Sequence, residues 1–233
     1  MEQNQNKYKK IISLNNFSFS YGDKRVFDNI NFEIIEGKTY GIVGRNGAGK
    51  TSLLNILHGI QKIDQTNQLL HPFNEITYIQ TSPYFYPYMK GFEYLSILNQ
   101  SNQLMIEEWN KIFQLPLNQY IHEYSTGMQK KLSILGGLSL QNKILILDEP
   151  FNGLDLESTE MIHLMLESMK KKNYTIILTS HILETITRHA DLIYYINQHQ
   201  HIESYEPNDF VQLETIIKNN IINNSLLQFK KLI

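Results

Sequence analysis

The stretch Gly44-Arg45-Asn46-Gly47-Ala48-Gly49-Lys50-Thr51 constrains this chain more than any other, because an apolar run at 40–43 precedes it and Ser52-Leu53-Leu54-Asn55-Ile56-Leu57 follows it. A polyphosphate carries several negative charges that must be matched without crowding, so a loop wrapping it should be glycine-rich with its N–H groups turned inward. Gly44, Gly47 and Gly49 supply that loop. A helix opening near Gly49 adds unpaired N–H groups and roughly half a positive charge. Lys50 is then placed to reach the outer phosphates and the Thr51 hydroxyl to ligate Mg²⁺. Strand, loop and helix in this order make a P-loop, and Gly59 reads as the helix stop.

Composition narrows the remaining possibilities. The 233 residues suit one domain, or one domain with a subdomain, and can bury a full core. Lys and Arg number 21 against 23 Asp and Glu, a net charge of -2 that exerts no global pull toward nucleic acid or anionic lipid. The absence of cysteine excludes disulfides, thiolate catalysis and cysteine-ligated zinc, and suits a reducing compartment. Residues 1–7 are polar and lead into no long apolar core, so no secretory signal is expected there. No apolar run is long enough to predict a membrane span.

Along the chain, residues 11–19 and 26–34 alternate apolar and polar around Tyr21-Gly22-Asp23, which predicts two antiparallel strands ahead of the P-loop strand. Tyr21 at their junction is either a turn-edge aromatic covering the sheet or a ring stacked on a base. A polar stretch at 60–72 precedes a short strand at 75–79 that ends on Gln80. The proline-punctuated Thr81-Ser82-Pro83-Tyr84-Phe85-Tyr86-Pro87-Tyr88 then forbids a regular helix, leaving its rings either to plug a local core or to face a partner. From 91 to about 141 the spacing turns helical, which predicts a helical insertion into the sheet. Within it Ser125 precedes Thr126-Gly127, a pattern that fits an ordinary helix N-cap.

Residues 143–150 read as a buried strand of unbroken aliphatics ending in Asp148 and Glu149. Ligands of open α/β sheets bind beyond the carboxyl ends of the strands, so Asp148 is placed to hold a Mg²⁺ shell and Glu149 to orient or deprotonate a water. An amphipathic helix over 156–172 follows, with Met161, Ile162, Met165, Leu166 and Met169 facing the core. A second buried strand over 174–179 runs into His181, within reach of a terminal phosphate. The other histidines show no metal spacing, and His199 and His201 flank a polar turn. Segments 192–196 and 201–205 suggest a final hairpin, and 210–233 a terminal helix.

Tyr21, the P-loop, Gln80, Ser125-Thr126-Gly127, the strand 144–149, Asp155 and His181 stand in the order of the A-loop, Walker A, Q-loop, signature, Walker B, D-loop and H-loop of ATP-binding cassette (ABC) transporter subunits, which the chain resembles over essentially its whole length. That resemblance implies an α/β fold: a P-loop NTPase core with a mixed sheet, an N-terminal antiparallel β subdomain and an inserted α-helical subdomain. It sets core and β subdomain at about 1–82 and 142–205, the helical signature subdomain at about 83–141 and a C-terminal helical tail at about 206–233.

The resemblance further implies an ATPase using ATP and Mg²⁺. Glu149, His181 and Lys50 would be catalytic, and Thr51, Gln80 and Asp148 would hold the metal. Tyr21, Gly44, Asn46, Gly47, Ala48, Gly49, Lys50, Thr51, Ser52 and Asp155 would bind nucleotide. Ser125 and Gly127 would reach the γ-phosphate of a second cassette in a head-to-tail dimer, expected to be a homodimer. The family signature usually reads Leu-Ser-Gly-Gly-Gln; here Tyr124, Thr126 and Met128 depart from it while Ser125 and Gly127 are kept. The Tyr-Ser-x-Gly-Met form is similar to bacterial cassettes encoded apart from their membrane subunits, often exporters. The implied partner is a separate transmembrane permease and the implied location the cytoplasmic face of the cell membrane, with no nucleic acid expected. The rival reading is a soluble cassette ATPase acting as a regulatory or nucleic-acid-associated switch; such proteins often carry two cassettes, a coiled coil or a basic tract, which this chain lacks.

Overall fold

The computed structural model describes residues 9–62, 75–98, 103–197 and 200–229. Most of the polar stretch expected at 60–72, together with His199, lies outside the described residues. Strands β1 (Lys10–Tyr21) and β2 (Lys24–Ile35) form the expected antiparallel ribbon. Their alternation buries Leu14, Phe17, Ile30, Phe32 and Ile34 on one face. Several register shifts interrupt the pairing, with Asn16 and Asn29 both at φ 50. Such bulges bend and twist a two-stranded ribbon, so it curls over what lies beneath.

What lies beneath is β3 (Thr39–Gly44) and the helix α1 (Lys50–His58) that follows the P-loop. Gly59, left-handed at φ 83, ends that helix by donating its N–H to Ile56 O. The chain continues through β4 (Ile76–Ile79), α2 (Gly91–Leu98), α3 (Gln103–Phe113), α4 (Thr126–Ser139), β5 (Ile144–Leu147) and α5 (Leu156–Lys171). It closes with β6 (Thr175–Thr179), α6 (Leu183–Thr187), β7 (Leu192–Ile196), β8 (Ile202–Tyr205) and α7 (Phe210–Phe229). The main sheet has the order β4-β5-β6-β3-β7-β8; neighbours pair in parallel except β8, which runs antiparallel to β7.

The aliphatic runs of β5 and β6 are unbroken because both faces of the sheet are covered. Ile146 and Ile177 point toward the ribbon and α1, while the alternate residues Leu145, Leu147, Ile176 and Leu178 pack against Leu135 of α4 and Ile162 and Leu166 of α5. A third cluster joins Val43, Ile193 and Tyr195 to Ile186 of α6 and Leu213 of α7. Gly41 permits that contact, since a Cβ there would fall 2.1 Å from Ile186 Cγ2.

Between β4 and β5 the described chain carries three helices, as the spacing predicts, and Leu95, Ile106, Phe113 and Leu132 extend the apolar cluster under β5 and β6 into this part. The aromatic segment before it divides between the two readings. Tyr84, Tyr86 and Tyr88 are 75%, 66% and 77% exposed, whereas Phe85 turns inward against Tyr94, ring centroids 5.0 Å apart. Among the described residues no helix is long and apolar enough to cross a membrane.

Candidate active site

The P-loop leaves β3 at its carboxyl end, where β5 and β6 also finish. Gly49 precedes the first residue of α1 at φ 106, and a Cβ there would come within 2.8 Å of Val26 Cγ1 and 3.0 Å of the Phe27 ring. Only glycine allows the ribbon to lie this close to the loop. The result is a cavity of ≈ 390 Å³ whose walls include Tyr21, Lys24 and Val26 from the ribbon, Asn46, Gly47, Gly49, Lys50, Thr51 and Ser52 from the P-loop and helix, Thr81, and the two carboxylates Asp148 and Glu149.

The loop is held by its own lysine. Lys50 Nζ donates to Gly44 O at 2.9 Å and Arg45 O at 3.4 Å, so its buried ammonium rests on carbonyls of the loop it serves. Asp148 is also buried: Oδ1 accepts from Thr179 Oγ1 at 2.5 Å, and Oδ2 lies 3.4 Å from Thr51 Oγ1. The Thr179 hydroxyl in turn accepts the Glu149 N–H at 2.9 Å, so one side chain at the end of β6 fixes both acids. Burial raises the pKa of Tyr78 above its ordinary value, and the charge of Asp148 raises it further, keeping this phenol neutral beside the carboxylate.

Glu149 adopts φ 49, a left-handed conformation unfavourable for a residue with a Cβ, and the turn aims its carboxylate along the cavity wall. Oε2 receives the His181 N–H at 3.3 Å and lies 2.9 Å from His181 Nδ1. Nδ1 thus faces the carboxylate, which leaves Nε2 on the far side of a ring 54% exposed to solvent. Tyr21 is half-exposed at the mouth and braced edge-on by Phe19, ring centroids 4.9 Å apart.

Other expected positions stand outside the cavity walls. Gly44 and Ala48 lie in the loop behind it, Gln80 is exposed beside Thr81, and His181 reaches the site through Glu149. Ser125 caps α4, its hydroxyl accepting the Met128 N–H at 3.2 Å, and a Cβ on Gly127 would lie 3.6 Å from Gly153 O in the turn after Glu149. Asp155 caps α5 by accepting the Ser158 N–H at 2.7 Å, and hydrogen bonding from the Ser158 side chain first, and from this N–H second, lowers its carboxyl pKa. Tyr124, the departure from leucine, is buried and donates its hydroxyl to Pro116 O at 2.8 Å.

The sequence reading missed Lys24, Val26, Thr81 and Thr179, and also a buried pair on the far side of the turn after Glu149. There His163 Nδ1 and His189 Nε2 sit 2.6 Å apart, with Phe151 stacked on His163 at 4.5 Å. Burial is the first cause that lowers both histidine pKa values, that of His189 to about 4. The two rings are 26 residues apart in sequence, a separation no motif search would join.

Residues 27–152 match the ABC transporter family model. An uncharacterized ABC transporter ATP-binding protein of Methanocaldococcus jannaschii is 33% identical over 194 residues, 79% of this chain and 73% of that protein. A lantibiotic transport ATP-binding protein of Streptococcus pyogenes is 28% identical over 226 residues, 91% of this chain and 98% of that protein. The solved dimeric structure of a bacterial ABC transporter cassette shares the fold with a TM-score of 0.71 at 20% identity, covering 84% of this chain and 98% of that one. With the family model spanning more than half of its length, this chain belongs to the ABC transporter family, as an ATP-binding and ATP-hydrolysing subunit.

Proposed function

We propose that this subunit powers export of a peptide-like substrate through a separate membrane protein, working as a homodimer of cassettes at the inner face of the membrane. The observation that carries its ATPase mechanism is the Glu149–His181 contact at the carboxyl end of β5, beside the P-loop. In this mechanism the adenine stacks on Tyr21, and the phosphates take the N–H groups of the loop 44–51. Lys50 leaves the carbonyls of Gly44 and Arg45 and donates to the β- and γ-phosphates, trading neutral acceptors for charged ones. Glu149 accepts a proton from the attacking water, or orients it, while His181 Nδ1 holds the carboxylate and Nε2 faces the departing phosphate charge. Ser125 and Gly127 of the opposite cassette complete the γ-phosphate shell.

The donor set fits a hard divalent cation. Thr51 and Asp148 offer a hydroxyl and a carboxylate oxygen 3.4 Å apart at one wall of the cavity, and Gln80 adds an amide oxygen in the family arrangement. A Mg²⁺ ion held by Thr51, Asp148 and Gln80 would supply neutralisation of phosphate charge.

Likeness to the lantibiotic transport protein over 91% of the chain supports the peptide-like substrate. The exposed Tyr84, Tyr86 and Tyr88, next to Gln80, form the surface proposed to receive the membrane subunit. Purification of the Glu149→Gln chain from its native membranes with ATP tests this reading. An integral membrane protein in stoichiometric amount is expected, and serine at all three tyrosines should abolish its recovery. Recovery of a soluble dimer alone, or of ribosomes or DNA, would overturn the transport reading; recovery unaffected by the serines would overturn the assignment of the surface.

A further inference from the structure

We infer that Lys130 is a positioning residue for the metal and γ-phosphate end of the site, acting from the signature helix on the main chain of Gln80, Thr81 and Asp148. The inference rests on the assignment of Thr51, Gln80 and Asp148 as the metal-binding residues. Lys130 is the fifth residue of α4 and only 3% exposed. Its Nζ donates to Thr81 O at 2.8 Å, Gln80 O at 3.2 Å and Asp148 O at 3.4 Å. An ammonium has three protons, and here each has a main-chain carbonyl.

The position of those carbonyls gives the contact its meaning. Strands β4 and β5 pair as far as Ile79 and Leu147, and the Asp148 N–H still donates to Ile79 O at 2.9 Å. Beyond that bond the chains part, Gln80 and Thr81 toward the aromatic segment and Asp148 toward Glu149. Lys130 occupies the opening between them and replaces the next rung of the ladder with a cation. Burial pulls the Lys130 pKa down to about 8, while the charges of Asp148 and Glu149 oppose that shift.

The same helix begins at Ser125 and Gly127. A shift of α4 along its axis therefore either carries the backbone of the two metal-binding residues with it or breaks these hydrogen bonds. Lys130 touches no reacting atom; it holds the residues that do.

The test compares full-length wild-type, Lys130→Met, Lys130→Gln and Lys130→Arg chains by three readouts. These are affinity for a fluorescent ATP analogue in EDTA, Mn²⁺ half-saturation followed by electron paramagnetic resonance with ATP present, and the separate kcat and KM of hydrolysis. Lys130→Met should leave metal-free nucleotide affinity unchanged and weaken Mn²⁺ binding by about 10-fold or more, as losing a partner behind a metal ligand does. Its kcat should fall with KM nearly constant, and the donor-bearing Gln and Arg should recover part of both losses. Wild-type values in Lys130→Met, an equal loss of nucleotide affinity with and without metal, or no recovery in Gln and Arg would overturn the inference. If Lys130→Met does not fold, Lys130→Gln decides by the same comparison: a metal-specific loss supports positioning and an equal loss overturns it. A wild-type chain that binds nucleotide but no Mn²⁺ would take down the metal assignment together with this inference.

Discussion

Lowering the pH from 7 to 5 should destabilise this protein through one identifiable pair, His163 and His189. The folded state holds His189 at about 4 against an ordinary 6.5, first because burial disfavours the imidazolium and next because His163 and Arg188 lie close. Lys170 also lowers it, Glu167 opposes the shift, and Glu160 with Glu167 acts the same way on His163. The folded pKa is depressed, so between 4 and 6.5 the unfolded chain binds more protons than the folded one. Stability from this site is complete above 6.5 and is lost as the pH falls toward 4. Each pKa unit corresponds to about 1.4 kcal/mol, and integrating the two titrations from pH 7 to pH 5 gives a loss of about 2 kcal/mol for His189 alone. The assay is urea unfolding of wild type and His189→Gln at both pH values, comparing the change with pH in each chain so that other titrating groups cancel. Wild type should lose about 2 kcal/mol more than the variant over this range. Equal losses would refute the claim that this pair is neutral and buried in the folded chain.

Two further outcomes concern the nucleotide site. Glu149→Gln should retain ATP binding and trap an ATP-bound dimer visible by gel filtration, with turnover reduced by about 10²–10⁴-fold as expected for a lost general base; an unchanged rate would remove Glu149 from catalysis. Tyr21→Ala should weaken nucleotide binding by about 1–3 kcal/mol, the worth of one base stacked on an aromatic ring, as measured by fluorescence titration. An unaltered dissociation constant would return Tyr21 to covering the sheet edge.

The parts legible from sequence are those whose cause is local. The P-loop is one contiguous stretch, alternation marked the ribbon, and unbroken aliphatics marked β5 and β6 because both of their faces are covered. Asp148 and Glu149 were legible because a buried strand must deliver whatever follows it to the sheet edge. Thr179 was hidden inside the apolar strand it ends, although a hydroxyl at that edge, two residues before His181, was a usable signal. Lys130 offered another, since it precedes the buried Ser133, Ile134 and Gly137 on one helical face where a charge requires partners. Those partners lie 18 to 50 residues away, and only the folded sheet brings them together. The aromatic segment could not be resolved in advance because adjacent rings took opposite directions, Phe85 inward and Tyr84 and Tyr86 outward.

The left-handed turn at Glu149 also bears on how much stability the fold gives up at this corner. A residue with a Cβ at φ 49 holds the backbone in a costly conformation, one that glycine or asparagine adopts more readily. A side chain proposed for turnover thus stands on a backbone that costs the fold stability. Glycine or asparagine in place of Glu149 should therefore unfold at higher urea than the wild-type chain, a gain in stability drawn from the backbone alone.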